Sequence, residues 1–104
     1  MLGVKCLAGP FKGRVYTIYM SGLMMGRGVE CAIRFDADAP GISRHHCALT
    51  WVGGKLFLTD LGSTYGTFLA DGRRLTIQNP VLVSTGTRFY LGSNNNLFQI
   101  VIQI

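Results

Sequence analysis

A chain of 104 residues has room for one core and not for two, so the expectation is a single domain over residues 1–104, read as a module of a larger protein. With 48% hydrophobic residues it is too apolar for a disordered segment. Ten Lys and Arg against five Asp and Glu leave a net charge of +5, which favours an anionic partner, yet no basic tract of the kind that binds nucleic acid or lipid by charge alone is present.

The N-terminal residues Met1-Leu2-Gly3-Val4-Lys5-Cys6 lack the long apolar region of a signal peptide. No apolar run approaches membrane-spanning length. The cysteines are Cys6, Cys31 and Cys47. Their odd number, with Cys6 and Cys47 inside apolar runs, predicts reduced, mostly buried thiols of a cytoplasmic protein.

Taken in chain order, the pattern is almost wholly β. Strands are predicted at residues 3–7, 13–19, 22–26, 32–35, 47–52, 55–60, 67–69, 73–75, 81–83, 87–91 and 98–104. Many alternate at period two, as Leu56 and Leu58 do against Phe57 and Thr59, the mark of a half-buried strand. No stretch shows a helical period. Gly53-Gly54 and Asp71-Gly72 are hairpin signals that demand positive φ. Thr85-Gly86 and Asn94-Asn95-Asn96 read as further turns. The fold expected is all-β, an antiparallel β-sandwich of two sheets with its binding loops at one end.

Three segments between the predicted strands are rich in groups that grip an anion. They are Gly26-Arg27, Ser43-Arg44-His45-His46, and Asp60-Leu61-Gly62-Ser63-Thr64-Tyr65-Gly66-Thr67. Hydroxyls, a guanidinium and glycine-flanked amides on three separate loops suggest one phosphate-reading surface. Other chemistry is less well served. Ser43, His46 and Asp60 spell a hydrolase alphabet, but there is no G-x-S-x-G elbow, and no catalytic residue is assigned. His45, His46 and Cys47 are consecutive, and consecutive side chains do not converge on one ion, so no metal site and no cofactor are expected. The aromatic residues alternate along strands as core residues do and form no recognised nucleic-acid platform.

In order and spacing these segments resemble the forkhead-associated (FHA) domain: Gly26-Arg27, then S-x-x-H as Ser43-Arg44-His45-His46, then Leu58 to Leu69 with Asp71-Gly72. The resemblance covers essentially the whole chain. It implies a β-sandwich that binds phosphothreonine peptides through loops at one end. It implies that Arg27 meets the phosphate with its rigid fork of donors. Ser43 would bond the phosphate through its hydroxyl and its own amide, and Thr64 would bond a phosphate oxygen or the peptide. Arg44 either contacts the phosphate or peptide or is a solvated loop charge. His46 would brace the loops through its ring, Gly26 would allow close approach, and Ser63 and Gly66 would shape the turn. Asp60 would accept bonds from loop backbone rather than face the ligand.

One residue departs from the pattern. The family places asparagine where Tyr65 stands, and tyrosine cannot reproduce both bonds of a side-chain amide. Tyr65 either stacks on the peptide and shifts its preference, or phosphopeptide affinity is weakened and the domain is a phosphate-independent interaction module. The expected partner is a phosphothreonine-containing protein, with no nucleic acid and no membrane, and the isolated domain is expected to be monomeric.

Overall fold

The computed structural model describes residues 1–103. Ten strands follow in order: β1 (Leu2–Ala8), β2 (Val15–Thr17), β3 (Leu23–Gly26), β4 (Ile33–Arg34), β5 (Cys47–Val52), β6 (Lys55–Asp60), β7 (Thr67–Leu69), β8 (Val81–Val83), β9 (Arg88–Leu91) and β10 (Leu97–Ile102). They form two five-stranded sheets, ordered β2-β1-β10-β9-β7 and β4-β3-β5-β6-β8. Every pairing is antiparallel except that of β3 with β4. The architecture is the expected sandwich.

Alternation decides which side chains enter it. In β6, Leu56, Leu58 and Asp60 are buried while Lys55 is exposed. In β10, Phe98 and Ile100 are fully buried, and Phe98 pairs with Phe89 of β9 in the same sheet. Phe89 stacks on Phe98 with centroids 5.7 Å apart, and Phe35 meets Phe98 edge-on at 6.4 Å. Burying each such side chain contributes roughly 1.5–3 kcal/mol. Cys6, Cys31 and Cys47 are all buried and free, as expected, and burial raises the pKa of each thiol.

The strand expected at 73–75 needs correction. Residues 73–75 are not a strand; Arg74 forms only an isolated bridge to Phe68. Asp71-Gly72 forms the expected turn, with the positive φ at Gly72 (95°); no non-glycine residue among those described has positive φ. The Gly72 amide bonds the Leu69 carbonyl at 2.8 Å and the Leu69 amide bonds Arg73 at 2.9 Å. That is a type I turn closed by a glycine bulge, and it returns the chain along β7, where the Leu75 amide bonds the Thr67 carbonyl at 2.8 Å. Gly53 and Gly54 behave as expected, with φ of 57° and 77°. The candidate at 98–104 ends at Ile102, and Ile104 lies outside the described residues.

The loops after β3, β4 and β6 share one end of the sandwich. The β9–β10 turn joins them, because the Gly92 amide donates to the Gly66 carbonyl at 2.9 Å. The β5–β6 hairpin and the β2–β3 connection lie at the other end, where the Trp51 indole donates to the Tyr19 carbonyl at 3.1 Å.

Candidate functional site

The site is built on a buried framework. Asp60, the last residue of β6, accepts the Gly62 and Ser63 amides at 3.0 and 3.1 Å. It also accepts the Ser63 hydroxyl at 2.5 Å and the Thr67 hydroxyl at 2.8 Å. Ser63 Oγ in turn accepts the Gly66 amide at 3.0 Å. One carboxylate thus knits the 61–66 loop together, as the sequence suggested. Burial pushes the Asp60 pKa up, but these hydrogen bonds outweigh it and hold the group below the usual carboxylate range.

His46 joins that loop to the next. It is fully buried. Its Nδ1 accepts the Ser43 amide at 3.0 Å, and its Nε2 lies 2.8 Å from the Gly66 carbonyl. An amide can only donate and a carbonyl can only accept. The ring is therefore neutral with its proton on Nε2. Burial lowers its pKa, against the opposing pull of Gly66 and Asp60.

Over this frame lie the anion-gripping groups. Ser43 Oγ accepts the Thr64 amide at 3.1 Å. Ser43 and Thr64 are therefore in direct contact across two loops, and the Ser43 hydroxyl proton is left to point elsewhere. The expectation that the Ser43 amide also faces a phosphate does not hold here, because His46 takes that proton. The Arg27 amide donates to the Ser43 carbonyl at 3.2 Å. Its side chain reaches back along the β4–β5 loop, with Nε on Ile42 O and Nη1 on Ala37 O, each at 2.7 Å. Two of the five guanidinium donors are thus engaged with the loop and three remain.

Gly26 explains how β3 can approach so closely. A Cβ there would sit 2.9 Å from the Ser43 carbonyl oxygen and would run into that of Arg44. Arg44 itself is exposed and makes no side-chain bond among the described residues. Its carbonyl holds the Gly28 amide at 2.9 Å and the Cys31 thiol at 3.5 Å. His45 pairs with Glu30, tying the β3–β4 loop to the β4–β5 loop.

Tyr65 is 63% exposed. It lines an open cleft of about 740 Å³, floored by Phe11, Phe35 and Ile42, with Asp36 and Asp38 along it. Against the same loop, outside the cleft lining, stands Arg74, which sequence reasoning did not place in the site. Its Nη2 lies 3.4 Å from the Thr64 carbonyl, and its guanidinium carbon lies 5.8 Å from the Phe68 ring centre. The only signal for it was the Arg73-Arg74 pair after a turn, which reads as solvated charge. The hydrolase alphabet is excluded by geometry: Asp60 bonds Ser63 and Thr67, while His46 presents its acceptor nitrogen to the Ser43 amide rather than to its hydroxyl.

With the loops described, the relatives of this chain are informative. Residues 23–92 match the FHA domain family. The chain belongs to the FHA domain family. This FHA domain superposes at a TM-score of 0.78 on an FHA domain whose interactions are phosphothreonine-dependent, with 23% identity over 99% of this chain and 97% of that one. It superposes equally well, at 0.78 and 22% identity, on Mycobacterium tuberculosis EmbR in complex with a low-affinity phosphopeptide, covering 97% of this chain and 24% of that one. At such identities the likeness is one of fold. It is also 38% identical over 71 residues to an Arabidopsis thaliana protein phosphatase 1 regulatory inhibitor subunit PPP1R8 homolog, across 60% of this chain. The match spans only 19% of that curated protein.

Proposed function

We propose that this FHA domain is a phosphothreonine reader, with Arg27, Ser43 and Thr64 contacting the phosphate and Arg44 and Tyr65 contacting the peptide. The observation that carries the reading is the Ser43–Thr64 bond beside Arg27. It ties the Ser43 hydroxyl to the backbone of Thr64 on the other loop, next to a guanidinium with donors to spare. A phosphothreonine brings a charge of about −1.5 to −2 and three acceptor oxygens, and these groups satisfy such an anion without catalysing anything. His46, Ser63, Gly26 and Gly66 act from behind by holding the loops. The likeness to the phosphopeptide-bound and phosphothreonine-dependent FHA structures supports the reading. A role in phosphorylation signalling is likewise supported by similarity to a phosphatase regulatory subunit.

One observation favours a second reading. Tyr65 stands exposed beside an apolar cleft where the family has asparagine, and a partner inserted there needs no phosphate. The deciding experiment measures binding of matched phosphothreonine, phosphoserine and unmodified peptides to wild type, Arg27→Ala and Ser43→Ala. Expected affinities for phosphothreonine peptides are on the order of micromolar. Loss of two charge-assisted bonds in Arg27→Ala should cost about 3 kcal/mol, roughly a hundredfold. Ser43→Ala leaves the Arg27 loop contacts in place but also removes the acceptor of the Thr64 amide, so its loss of affinity reads the phosphate contact together with the Ser43–Thr64 tie. Equal binding of phosphorylated and unmodified peptides would overturn the reading in favour of the phosphate-independent one.

A further inference from the structure

The charges around the phosphate loops are unevenly paired: the Arg27 guanidinium reaches Ala37, between Asp36 and Asp38 in the chain, whereas Arg74 stands away from any carboxylate among the described residues. On the cleft side of Tyr65 stand Asp36 and Asp38. Arg74 is not part of that lining and stands against the Thr64 carbonyl. Of the two consecutive arginines after the β7 turn, Arg73 is spent on Asp71, with Nε 3.2 Å from the carboxylate. Arg74 has no carboxylate partner among the described residues. Its one side-chain hydrogen bond is the long, 3.4 Å approach to the Thr64 carbonyl.

Arg74 is nevertheless positioned. It lies over the face of Phe68, and Phe68 is itself stacked on Tyr90 with centroids 5.0 Å apart and planes within 12°. Gly66 makes room for it. A Cβ at residue 66 would meet Arg74 Nε at 2.7 Å and Phe68 Cε1 at 2.9 Å. A guanidinium seated on an aromatic face keeps its edge donors open. Arg74 therefore presents a held, unneutralised fork directly against the loop that carries Thr64 and Tyr65.

Resting on the phosphothreonine reading of this site, the geometry points to Arg74 as a second anion-reading residue. It selects peptides that carry another negative group, a carboxylate or a second phosphate, on the flank that leaves the phosphothreonine past Thr64. Asp36 and Asp38 disfavour the same group along the cleft. The recognised class is thus an acidic or doubly phosphorylated segment with its charge on one side only. Arg74 also supplies donors near the position where the family's asparagine amide is missing.

The test is fluorescence anisotropy with phosphothreonine peptides of neutral flanks, against peptides with one Asp, or a second phosphothreonine, placed at each position within four residues on either side. Each is measured on wild type, Arg74→Ala and Arg74→Gln. Arg74→Gln keeps a donor for the Thr64 carbonyl and removes only charge. An exposed ion pair is worth up to about 1 kcal/mol, close to fivefold. The expected result is a gain of up to about fivefold for Asp on one flank only, larger for the second phosphate and smaller at high salt. Both variants should bring the ratio of acidic to neutral peptide affinity to about one. A larger gain from phosphate than from Asp identifies a doubly phosphorylated ligand; equal gains identify an acidic one. The inference fails if the ratio is already one in wild type, or if both variants leave it unchanged. If neutral-flank phosphothreonine peptides still bind and Arg27→Ala still abolishes it, the failure belongs to Arg74 alone. If no phosphothreonine peptide binds wild type, both readings fall together.

Discussion

His46 is the residue on which the two phosphate loops hinge, and its protonation state is set by its partners. With the Ser43 amide on Nδ1 and the Gly66 carbonyl on Nε2, only the neutral ring fits. A second proton on Nδ1 would face an N–H donor. The pKa in the folded state lies below that of the unfolded chain, so the unfolded state binds protons first. Stability from this group is complete above about pH 6.5 and declines as pH falls below it. Asp60 acts in the same sense at lower pH. Its folded pKa is also depressed, so its contribution is held above about pH 4 and lost below it. Melting temperature measured across pH 4 to 8 should therefore fall below about pH 6.5, and His46→Gln should flatten that part of the curve. A wild-type curve flat through this range would contradict the assignment of the tautomer.

Between residues and sheets, the element that matters is the 61–66 loop linking β6 to β7. It takes its shape from Asp60 below and Gly66 at its exit. Gly66 has φ of 88°, a conformation that L side chains rarely adopt. Its neighbours leave no room for a Cβ either, since Arg74 and Phe68 approach within 3 Å of that point. Gly66→Ala should cost about 1–3 kcal/mol through backbone strain alone. It should also weaken phosphopeptide binding more than it lowers the melting temperature would suggest, because the displaced carbonyl is the one that His46 and Gly92 both bind. Thermal melts and anisotropy on the same variant separate the two effects. The β7 turn belongs to this element. Its glycine bulge turns the chain after Leu69 back against the loop, which is how Arg74 comes to stand beside Thr64.

At the scale of the whole molecule, ligand binding and folding are linked. The loops that meet at one end are carried by both sheets: β3, β4, β5 and β6 from one, β7, β9 and β10 from the other. A phosphopeptide that binds only the folded state should stabilise it by about 2.7 kcal/mol at a hundred times its Kd. For a domain of this size that is a rise in melting temperature on the order of 10 °C. Unmodified peptide at the same concentration should produce none. The core that supports this end is aromatic, with Phe35 and Phe89 both packed on Phe98.

Much of this was legible in the chain because it is local. Period-two alternation assigns Leu56 and Leu58 to the core whatever they pack against, and glycine pairs mark turns through the φ angles they permit. The order of Gly26-Arg27, Ser43 to His46 and Ser63 to Gly66 between strands was enough to place the chain in its family. The local error at 73–75 came from context. Residues 73–75 alternate like a strand and do return along β7, with the Leu69 amide on Arg73 and the Leu75 amide on Thr67, but the pairing is a single bridge, Arg74 to Phe68, too short to make a strand. What needed tertiary structure is every contact between loops distant in sequence. The Ser43 amide is taken by His46 rather than left for a phosphate, Arg27 spends two donors on its own loop, and Arg74 reaches Thr64 across an aromatic ring. Hydrogen-bond donors are few and each serves one partner at a time, so which of them remain for a ligand is decided only once the folded chain has satisfied its own acceptors.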